Sequence, residues 1–307
     1  MIWKKKGLIY CPQSEASWWI SHAMAPAAFM LDNNVIRILM GCWDAHGISR
    51  IGYIDVSAEK PDVIIGKSVN PILDIGEPGC FDDNGVFPGH VYKYDGKIYL
   101  YYTGFQKLNK IPFTNFSGLA ISYDGGYTFE RVSKVPVMDR ADEGLFTRAG
   151  TSVIIEKNIF KACYSVGSGW TFIAGKERPI YEVNYIESFD GVSFGSEGRC
   201  IVKCDSSIEH GLGRPQIITI NNIYYVFYTR RMLNFKYHMG VARSYDLVSW
   251  ERIDSWLSTV SHGFPHEFDS QMVYFPCVIN SGKRIFLFYS GNGYGKSGVG
   301  YAELETE

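Results

Sequence analysis

The residues HVYKYDGKIYLYYTG, numbers 90 to 104, are typical of two β-strands joined by a tight turn. Aromatic and β-branched residues favour strands, and they stand on both sides of Asp95-Gly96, a dipeptide common in two-residue hairpin turns. The same order of strand, polar turn and strand occurs in AAFMLDNNVIRILMG (27–41), SVIIEKNIFKACYSVG (152–167), QIITINNIYYVFYTR (216–230) and CVINSGKRIFLFYSG (277–291). The hairpin is therefore a repeated unit.

The five hairpins are evenly spaced along the chain. Their last residues stand at intervals of 63, 63, 63 and 61 residues: Gly41, Gly104, Gly167, Arg230 and Gly291. A further strand-like phrase follows each hairpin, and no long segment has a helical period. A two-sheet sandwich does not explain so constant an interval. We therefore predict an all-β fold in which residues 1–307 form a single five-bladed β-propeller, with about four antiparallel strands in each blade.

The last repeat lacks its outer strand. An unpaired strand edge would invite association with other chains. The N-terminal segment MIWKKKGLIY (1–10) is strand-like. We expect it to pair into the last blade, which is formed mainly by residues 267–305, and so to close the ring.

Composition narrows the possible partners. The chain has 307 residues, of which 30 are basic and 32 acidic, so its net charge of −2 argues against nucleic acid or an anionic membrane as a partner. No apolar run approaches the roughly 18 residues of a membrane span, and the N-terminus does not resemble a signal peptide. The seven cysteines are scattered and fit reduced, packed thiols. We expect a cytoplasmic protein.

Acidic residues precede the inner strands of blades two to five. In a propeller these leading segments meet at one mouth of the central channel. The acids are Asp83, Glu143, Glu209, Glu267 and Asp269, and the same segments carry His22, Arg148, His210, Arg214 and His266. Like charges crowded at one mouth cost energy unless partners or function justify them. The pattern favours a functional pocket, with Asp82 capping its turn and Asp83 facing the axis.

The repeat plan resembles a known superfamily. The phrases DGKIYLYYTG (95–104) and SYDGGYTFERVS (122–133), with acids leading into inner strands, are similar to the five-bladed propeller glycosidases of glycoside hydrolase families 32, 43 and 130. The resemblance implies an enzyme that cleaves or transfers a glycosyl group with acids from successive blades. It makes Asp83 the counterpart of the supporting blade-two Asp and Glu143 the counterpart of the blade-three acid.

Blade one departs from the superfamily. Where these enzymes have Asp directly before Pro, this chain has Ala25 before Pro26. Asp44, Glu209 or a substrate phosphate would replace the missing base, or the base is absent and the protein is a non-catalytic carbohydrate-binding propeller. Cleavage requires a protonated carboxyl and a second carboxylate about 5 to 9.5 Å away.

The predicted site therefore has two parts. The predicted catalytic residues are Asp83, Glu143 and Glu209, and the predicted substrate-binding residues are His22, Asp44, Arg148, His210, Arg214, Glu267 and Asp269. The expected ligand is a carbohydrate or glycosyl phosphate, without a cofactor or metal, and the expected context is cell-surface polysaccharide metabolism. Two basic phrases, GKERP (175–179) and RRM (230–232), are interpreted as solvated loop charges, with contact to a phosphate or carboxylate of a substrate as the alternative.

Overall fold

The computed structural model describes residues 2–263, 265–282 and 284–305 as β-strands connected by turns. The first ten strands are β1 Ile2–Tyr10, β2 Ser21–Met30, β3 Val35–Trp43, β4 Ser49–Ser57, β5 Ile64–Lys67, β6 Val86–Tyr94, β7 Lys97–Lys107, β8 Phe113–Ser122, β9 Glu130–Arg131 and β10 Thr147–Glu156. The others are β11 Ile159–Ile173, β12 Lys176–Ser188, β13 Arg199–Val202, β14 Glu209–Ile220, β15 Ile223–Met232, β16 Tyr237–Ser244, β17 Glu251–Arg252, β18 Tyr274–Ser281, β19 Arg284–Ser290 and β20 Val299–Glu305. Two helical turns, Asp254–Leu257 and Asn292–Gly295, complete the described elements. The predicted all-β class is confirmed.

The strands pair as consecutive antiparallel meanders. One four-stranded sheet contains β2 to β5, and another contains β18, β19, β20 and β1. The remaining sheet joins three meanders, β6 to β9, β10 to β13 and β14 to β17, through short parallel contacts of β8 with β10 and of β12 with β14. We number these units meanders 1 to 5 in the chain order of their first strands.

The first strands of the meanders contact one another in a closed cycle. Strand β2 contacts β6, β6 contacts β10, β10 contacts β14, β14 contacts β18, and β18 returns to β2. We call these five strands the inner ring. Side chains that leave the inner ring therefore converge, although their meanders are far apart in sequence.

The N-terminal strand completes meander 5. Strand β1 runs antiparallel to β20, with Trp3 opposite Leu304 and Tyr10 opposite Val299. This pairing covers the edge of β20, as the incomplete last repeat predicts. Met1 and Lys283, which fall within the two predicted segments, lie outside the described residues.

The turns that join the first two strands of meanders 2 and 4 have the geometry that their residues indicate. Asp95 and Gly96 have φ of 48° and 70°, and Asn221 and Asn222 have φ of 51° and 61°. Two consecutive positive φ angles are the mark of a type I′ turn, whose twist matches that of antiparallel strands. Each turn dipeptide thus fixes the register of the two strands that it joins.

Every inner-ring strand has a shift of register at an equivalent place. The shifts fall between Met24 and Ala27, Pro88 and His90, Ala149 and Ser152, Gly213 and Gln216, and Tyr274 and Cys277. Within these bulges Ala25, Arg214 and Phe275 have φ of 56°, 45° and 56°, which L-residues adopt at a cost. A bulge bends its strand and redirects the side chain beside it. The five bulges therefore aim a set of residues toward the inside of the inner ring.

Candidate functional site

Arg214 holds the inner ring together from the bulge of β14. Its buried guanidinium donates hydrogen bonds to backbone carbonyl oxygens of three other inner strands: Ala25 and Pro26 in β2, Pro88 and Gly89 in β6, and Phe275 and Pro276 in β18. The shortest of these, to Pro26, is 2.6 Å. Burial lowers the pKa of Arg214 to about 10. These bonds give Arg214 a structural role, and its predicted contact with substrate stays a prediction.

Glu143 is held by four donors. Its Oε1 accepts from Arg148 Nε at 2.8 Å and from the Tyr164 hydroxyl at 2.6 Å. Its Oε2 accepts from the Asn184 amide at 3.0 Å and from the Gly198 backbone N–H at 2.9 Å. The structure thus brings the predicted pair Glu143 and Arg148 together, as a buried ion pair within meander 3.

The remaining hydrogen bonds of Arg148 also stay inside the protein. Its terminal nitrogens donate to the backbone carbonyl oxygens of Asp139 at 2.9 Å and Gly195 at 2.7 Å. The side chain is 4% exposed. Arg148 therefore ties together the loops around Glu143, and its predicted contact with substrate stays a prediction.

Glu209 is enclosed by two arginines. The residue is 1% exposed, and its Oε1 accepts from Arg230 Nε and from Arg252 Nη2, the latter at 2.7 Å. Its Oε2 accepts from the Asp205 backbone N–H at 3.1 Å. Both oxygens of Glu209 are therefore engaged by donors within meander 4.

Asp82 and Asp83 differ from their predicted roles. Asp83 Oδ2 accepts the Gly79 backbone N–H at 2.8 Å, so Asp83 caps the turn. Asp82 is fully buried and accepts from Arg131 Nε at 2.8 Å and from the Tyr102 hydroxyl at 3.1 Å. The prediction that Asp83 faces the axis is thus corrected, because its carboxylate is used by a local turn.

Asp269 repeats the arrangement of Asp82. It is fully buried, forms an ion pair with Lys5 at 2.6 Å, and accepts from the Tyr289 hydroxyl at 3.0 Å. Glu267, predicted to bind substrate with it, is exposed on the preceding turn. In meanders 2, 3 and 5 a buried acid is therefore bound by a tyrosine of the second strand and by a basic side chain, an arrangement that fixes each leading segment to its own meander.

Asp44 and His22 lie in meander 1. Asp44 forms an ion pair with Arg50 at 2.8 Å and accepts the backbone N–H groups of His46 and Ile48. Burial acts to raise the pKa of Asp44, but these hydrogen bonds prevail and lower it. The His22 ring stacks on Trp43 at 3.9 Å, and burial lowers its pKa to about 4. His22 is therefore neutral at physiological pH.

A cavity of about 40 Å³ opens between the inner ring and the adjoining strands of meanders 2 to 5. Its lining is formed by Phe87, Thr103, Asn115, Thr147, Ala149, Gly150, Ser165, Tyr181, Gly213, Arg214, Arg231 and Phe275. We call it the central cavity. None of the three predicted catalytic acids lines it, and the described lining contains no carboxylate.

Four polar atoms at the central cavity are buried without a hydrogen bond of ordinary geometry to another described residue. They are Asn115 Oδ1, Thr147 Oγ1, the Tyr181 hydroxyl and Arg231 Nε. Burial raises the pKa of Tyr181, and the neighbouring Arg231 and Thr147 act against that shift, which places the three side chains together. Buried polar groups are normally satisfied, so this concentration marks a place where a ligand or water binds.

Arg231 has aromatic neighbours and, among the described residues, no acidic partner. Its guanidinium carbon lies 4.6 Å from the ring centre of Tyr181 and 5.6 Å from that of Tyr237. Arg178 lies on the same side of meander 3, stacked on Phe235 at 5.6 Å, and both arginines add to the burial that lowers the pKa of His210. These arginines come from the RRM and GKERP phrases, so the interpretation as solvated loop charges is wrong for Arg231.

A second cavity, of about 540 Å³, lies on the loops around Glu143. Asp142, Glu143 and Glu197 line it together with Arg140. We call it the acidic cavity. It contains one of the predicted catalytic acids, and it is separate from the central cavity in its lining.

The described residues contain neither a metal-binding cluster nor a membrane-spanning helix. Within the described chain, no group of three or more His, Cys, Asp or Glu side chains is placed to hold a metal ion. Across residues 2–263, 265–282 and 284–305, no helix has the length and apolar character that crossing a membrane demands.

Sequence comparison gives the family. No protein-family model matches the chain. The uncharacterized protein Rv1502 of Mycobacterium tuberculosis H37Rv is 30% identical over 308 residues, which cover 100% of both chains. The chain belongs to the family of Rv1502. The uncharacterized protein MT1551 of M. tuberculosis CDC 1551 is also 30% identical to this chain over 308 residues, which cover 100% of both chains.

Solved structures with the same fold are glycoside hydrolases. One superposes with a TM-score of 0.70 at 17% identity, over 99% of this chain and 92% of the other. A thermostable family-43 glycoside hydrolase has a TM-score of 0.65 at 16% identity, over 94% and 91% of the two chains. The GH32 β-fructofuranosidase of Bombyx mori has 0.64 at 13% identity, over 96% and 62%. The resemblance to propeller glycosidases is confirmed for the fold.

Proposed function

We propose that the protein is a five-bladed β-propeller that binds a carbohydrate in its central cavity without cleaving it there by a pair of carboxylates. The glycoside hydrolase fold and the closed cycle of inner strands support the propeller. The cavity lies where these strands converge, and it combines the rings of Phe87 and Tyr181 with hydroxyl and amide groups. Such a mixture of aromatic faces and polar groups suits a sugar.

The observation that carries this proposal is the chemistry of the bulges. In or directly beside the five bulges, Ala25, Phe87, Arg214 and Phe275 each precede a proline, and Ala149 precedes Gly150. None has a carboxyl group, whereas glycosyl cleavage needs one carboxyl to protonate the leaving oxygen and another to attack or activate water. Where the superfamily has Asp before the proline of blade one, this chain has Ala25.

The proposed substitutes for that base are already engaged. Glu209 is buried between Arg230 and Arg252, and Asp44 is paired with Arg50. Neither Glu209 nor Asp44 lines the central cavity. A bound carbohydrate would therefore meet binding groups there and no general base.

Calorimetry with glycan and monosaccharide panels, run beside assays for sugar release, tests this proposal. We expect saturable binding with no release, and at least a tenfold loss of affinity for Phe87→Ala. The matched control Phe189→Ala removes a ring that is 87% exposed, and it should leave binding unchanged. Sugar release at a rate that requires no residue of the acidic cavity would contradict the proposal.

The acidic cavity favours a second candidate, a glycoside hydrolase. Asp142, Glu143 and Glu197 bring three carboxyl groups to one cavity, and Glu143 is the residue that the superfamily resemblance makes the acid. For this candidate, Glu143→Gln should reduce turnover by orders of magnitude with little change in binding, and Glu251→Gln on the surface should not. Wild-type protein that binds a carbohydrate without releasing sugar would reject the hydrolase candidate.

The cytoplasmic location and the role in cell-surface polysaccharide metabolism stay predictions.

A further inference from the structure

Arg231 and Arg178 differ from the other arginines whose side chains are enclosed in the described chain, because the Nε of each is buried without a hydrogen bond, and of these two only Arg231 lines the central cavity. Arg37 is paired with Asp55, Arg131 with Asp82, and Arg148 with Glu143, while Arg214 donates to six backbone carbonyls. Arg231 has no ion pair with a described carboxylate, and its Nε is buried without a hydrogen bond. An enclosed guanidinium that lacks counter-charge is costly, and it is retained where a partner arrives from outside.

The groups around Arg231 are hydrogen-bond donors. Thr147 and Tyr181 are each 2% exposed, and their hydroxyl groups are unpartnered at the central cavity. The Arg231 guanidinium lies over the rings of Tyr181 and Tyr237, and a guanidinium group presents its N–H donors as a planar fork. Two hydroxyl groups beside such a fork form a set that complements the oxygens of a phosphate or carboxylate.

The fourth unpartnered atom, Asn115 Oδ1, suits a hydroxyl group of the sugar rather than its anionic group. Asn115 Oδ1 is an acceptor without a partner, so it is placed to receive a ligand hydroxyl. The cavity of about 40 Å³ holds on the order of three waters, which is the size of a charged group and not of a whole ring. The ring would then lie toward the opening of the cavity.

We infer that Arg231, with Thr147 and Tyr181, binds an anionic group of the carbohydrate, so that the ligand is a sugar phosphate or an acidic sugar. This rests on the proposed carbohydrate binding. The absence of a carboxylate from the described lining removes the charge that would repel such a ligand. Phosphate and carboxylate present the same anionic oxygens, and the experiment distinguishes them.

The test is calorimetry at low salt with each monosaccharide of a panel offered in three forms: neutral sugar, 1-phosphate and uronic acid. Inorganic phosphate alone is a fourth probe. We expect one anionic form to bind at least tenfold more tightly than its neutral parent, and Arg231→Gln to abolish that preference. Arg243→Gln removes the same charge from a surface pair with Glu251 and should preserve it.

Additional variants guard against a folding defect. Tyr181→Phe and Thr147→Val each remove one donor, and each should weaken the anionic form by about three- to tenfold while thermal unfolding stays near that of the wild type. Equal binding of neutral and anionic forms would overturn the anion site and keep the proposed function. If inorganic phosphate bound but no sugar of the panel did, the anion site would stand and the proposed carbohydrate binding would be overturned. A panel in which no probe binds would overturn both.

Discussion

At the scale of single residues, the partner of each enclosed charge separates structure from function. Glu143, Glu209, Asp82 and Asp269 all meet basic side chains within their own meanders. These pairs hold loops in place, although Asp82 and Asp269 each keep one buried oxygen without a hydrogen bond. Arg231 and Arg178 pair with no described acid, and the Nε of each is buried without a hydrogen bond.

Arg214 should be among the most important residues for stability. Replacing it by Met keeps most of the side-chain volume but leaves carbonyl oxygens of three inner strands without donors. Unpaired buried polar groups cost about 1–3 kcal/mol each, so we expect the free energy of unfolding to fall by at least about 3 kcal/mol. Urea unfolding followed by circular dichroism measures this. Arg243→Met, at the surface, should change the free energy by less than about 0.5 kcal/mol, and an equally small effect of Arg214→Met would refute its structural role.

Residue roles were predicted less well than residue positions. The sequence places acids ahead of inner strands, but whether a carboxylate faces a turn or a cavity depends on partners that come from other segments. Asp82 meets Arg131, which lies 49 positions further along the chain. The RRM phrase gave no sign that Arg231 would be enclosed by Tyr181 and Tyr237, since those contacts arise only when β12, β15 and β16 pack together.

At the scale of elements, prediction succeeded because its signals are local. Asp95-Gly96 selects a type I′ turn, and the alternation of aromatic and polar residues around it sets the strand faces. The incomplete last repeat also pointed to pairing of the N-terminal strand, which β1 and β20 form. The bulges were not predicted, because they depend on contacts between inner strands.

Strand β1 should contribute strongly through one side chain. Trp3 is 1% exposed and packs edge-on against Phe227 at 6.2 Å, whereas the adjacent Ile2 is 52% exposed. Trp3→Ala should lower the free energy of unfolding by about 3–5 kcal/mol because it leaves a cavity between meanders 4 and 5. Ile2→Ala is the matched control, with an expected change below about 0.5 kcal/mol. Similar melting temperatures for both variants would show that β1 is dispensable.

At the scale of the whole molecule, contacts between inner strands should make stability depend on pH. His90 in β6 accepts the Val153 backbone N–H of β10 through Nδ1 at 3.3 Å. Burial, aided by Arg214, lowers the pKa of His90 from 6.5 to about 3. Between these values the unfolded chain binds a proton that the folded protein refuses, so stability is lost as the pH falls through that window.

We therefore expect the free energy of unfolding to fall with decreasing pH below 6.5, with His90 contributing a slope of up to about 1.4 kcal/mol per pH unit. His90→Gln should flatten this part of the profile, and His46→Gln, on an exposed loop, should not. Urea unfolding at steps of half a pH unit measures both slopes. A His90→Gln profile parallel to that of the wild type would exclude this coupling between β6 and β10.

The central claim is that an anionic carbohydrate binds in the central cavity. A crystal structure of the protein soaked with the tightest-binding sugar phosphate or uronic acid of the panel tests it most directly. We expect the charged group within hydrogen-bonding distance of Arg231, Thr147 and Tyr181, with a sugar hydroxyl at Asn115. A ligand bound instead in the acidic cavity beside Glu143 and Glu197, with the central cavity holding only water, would contradict it.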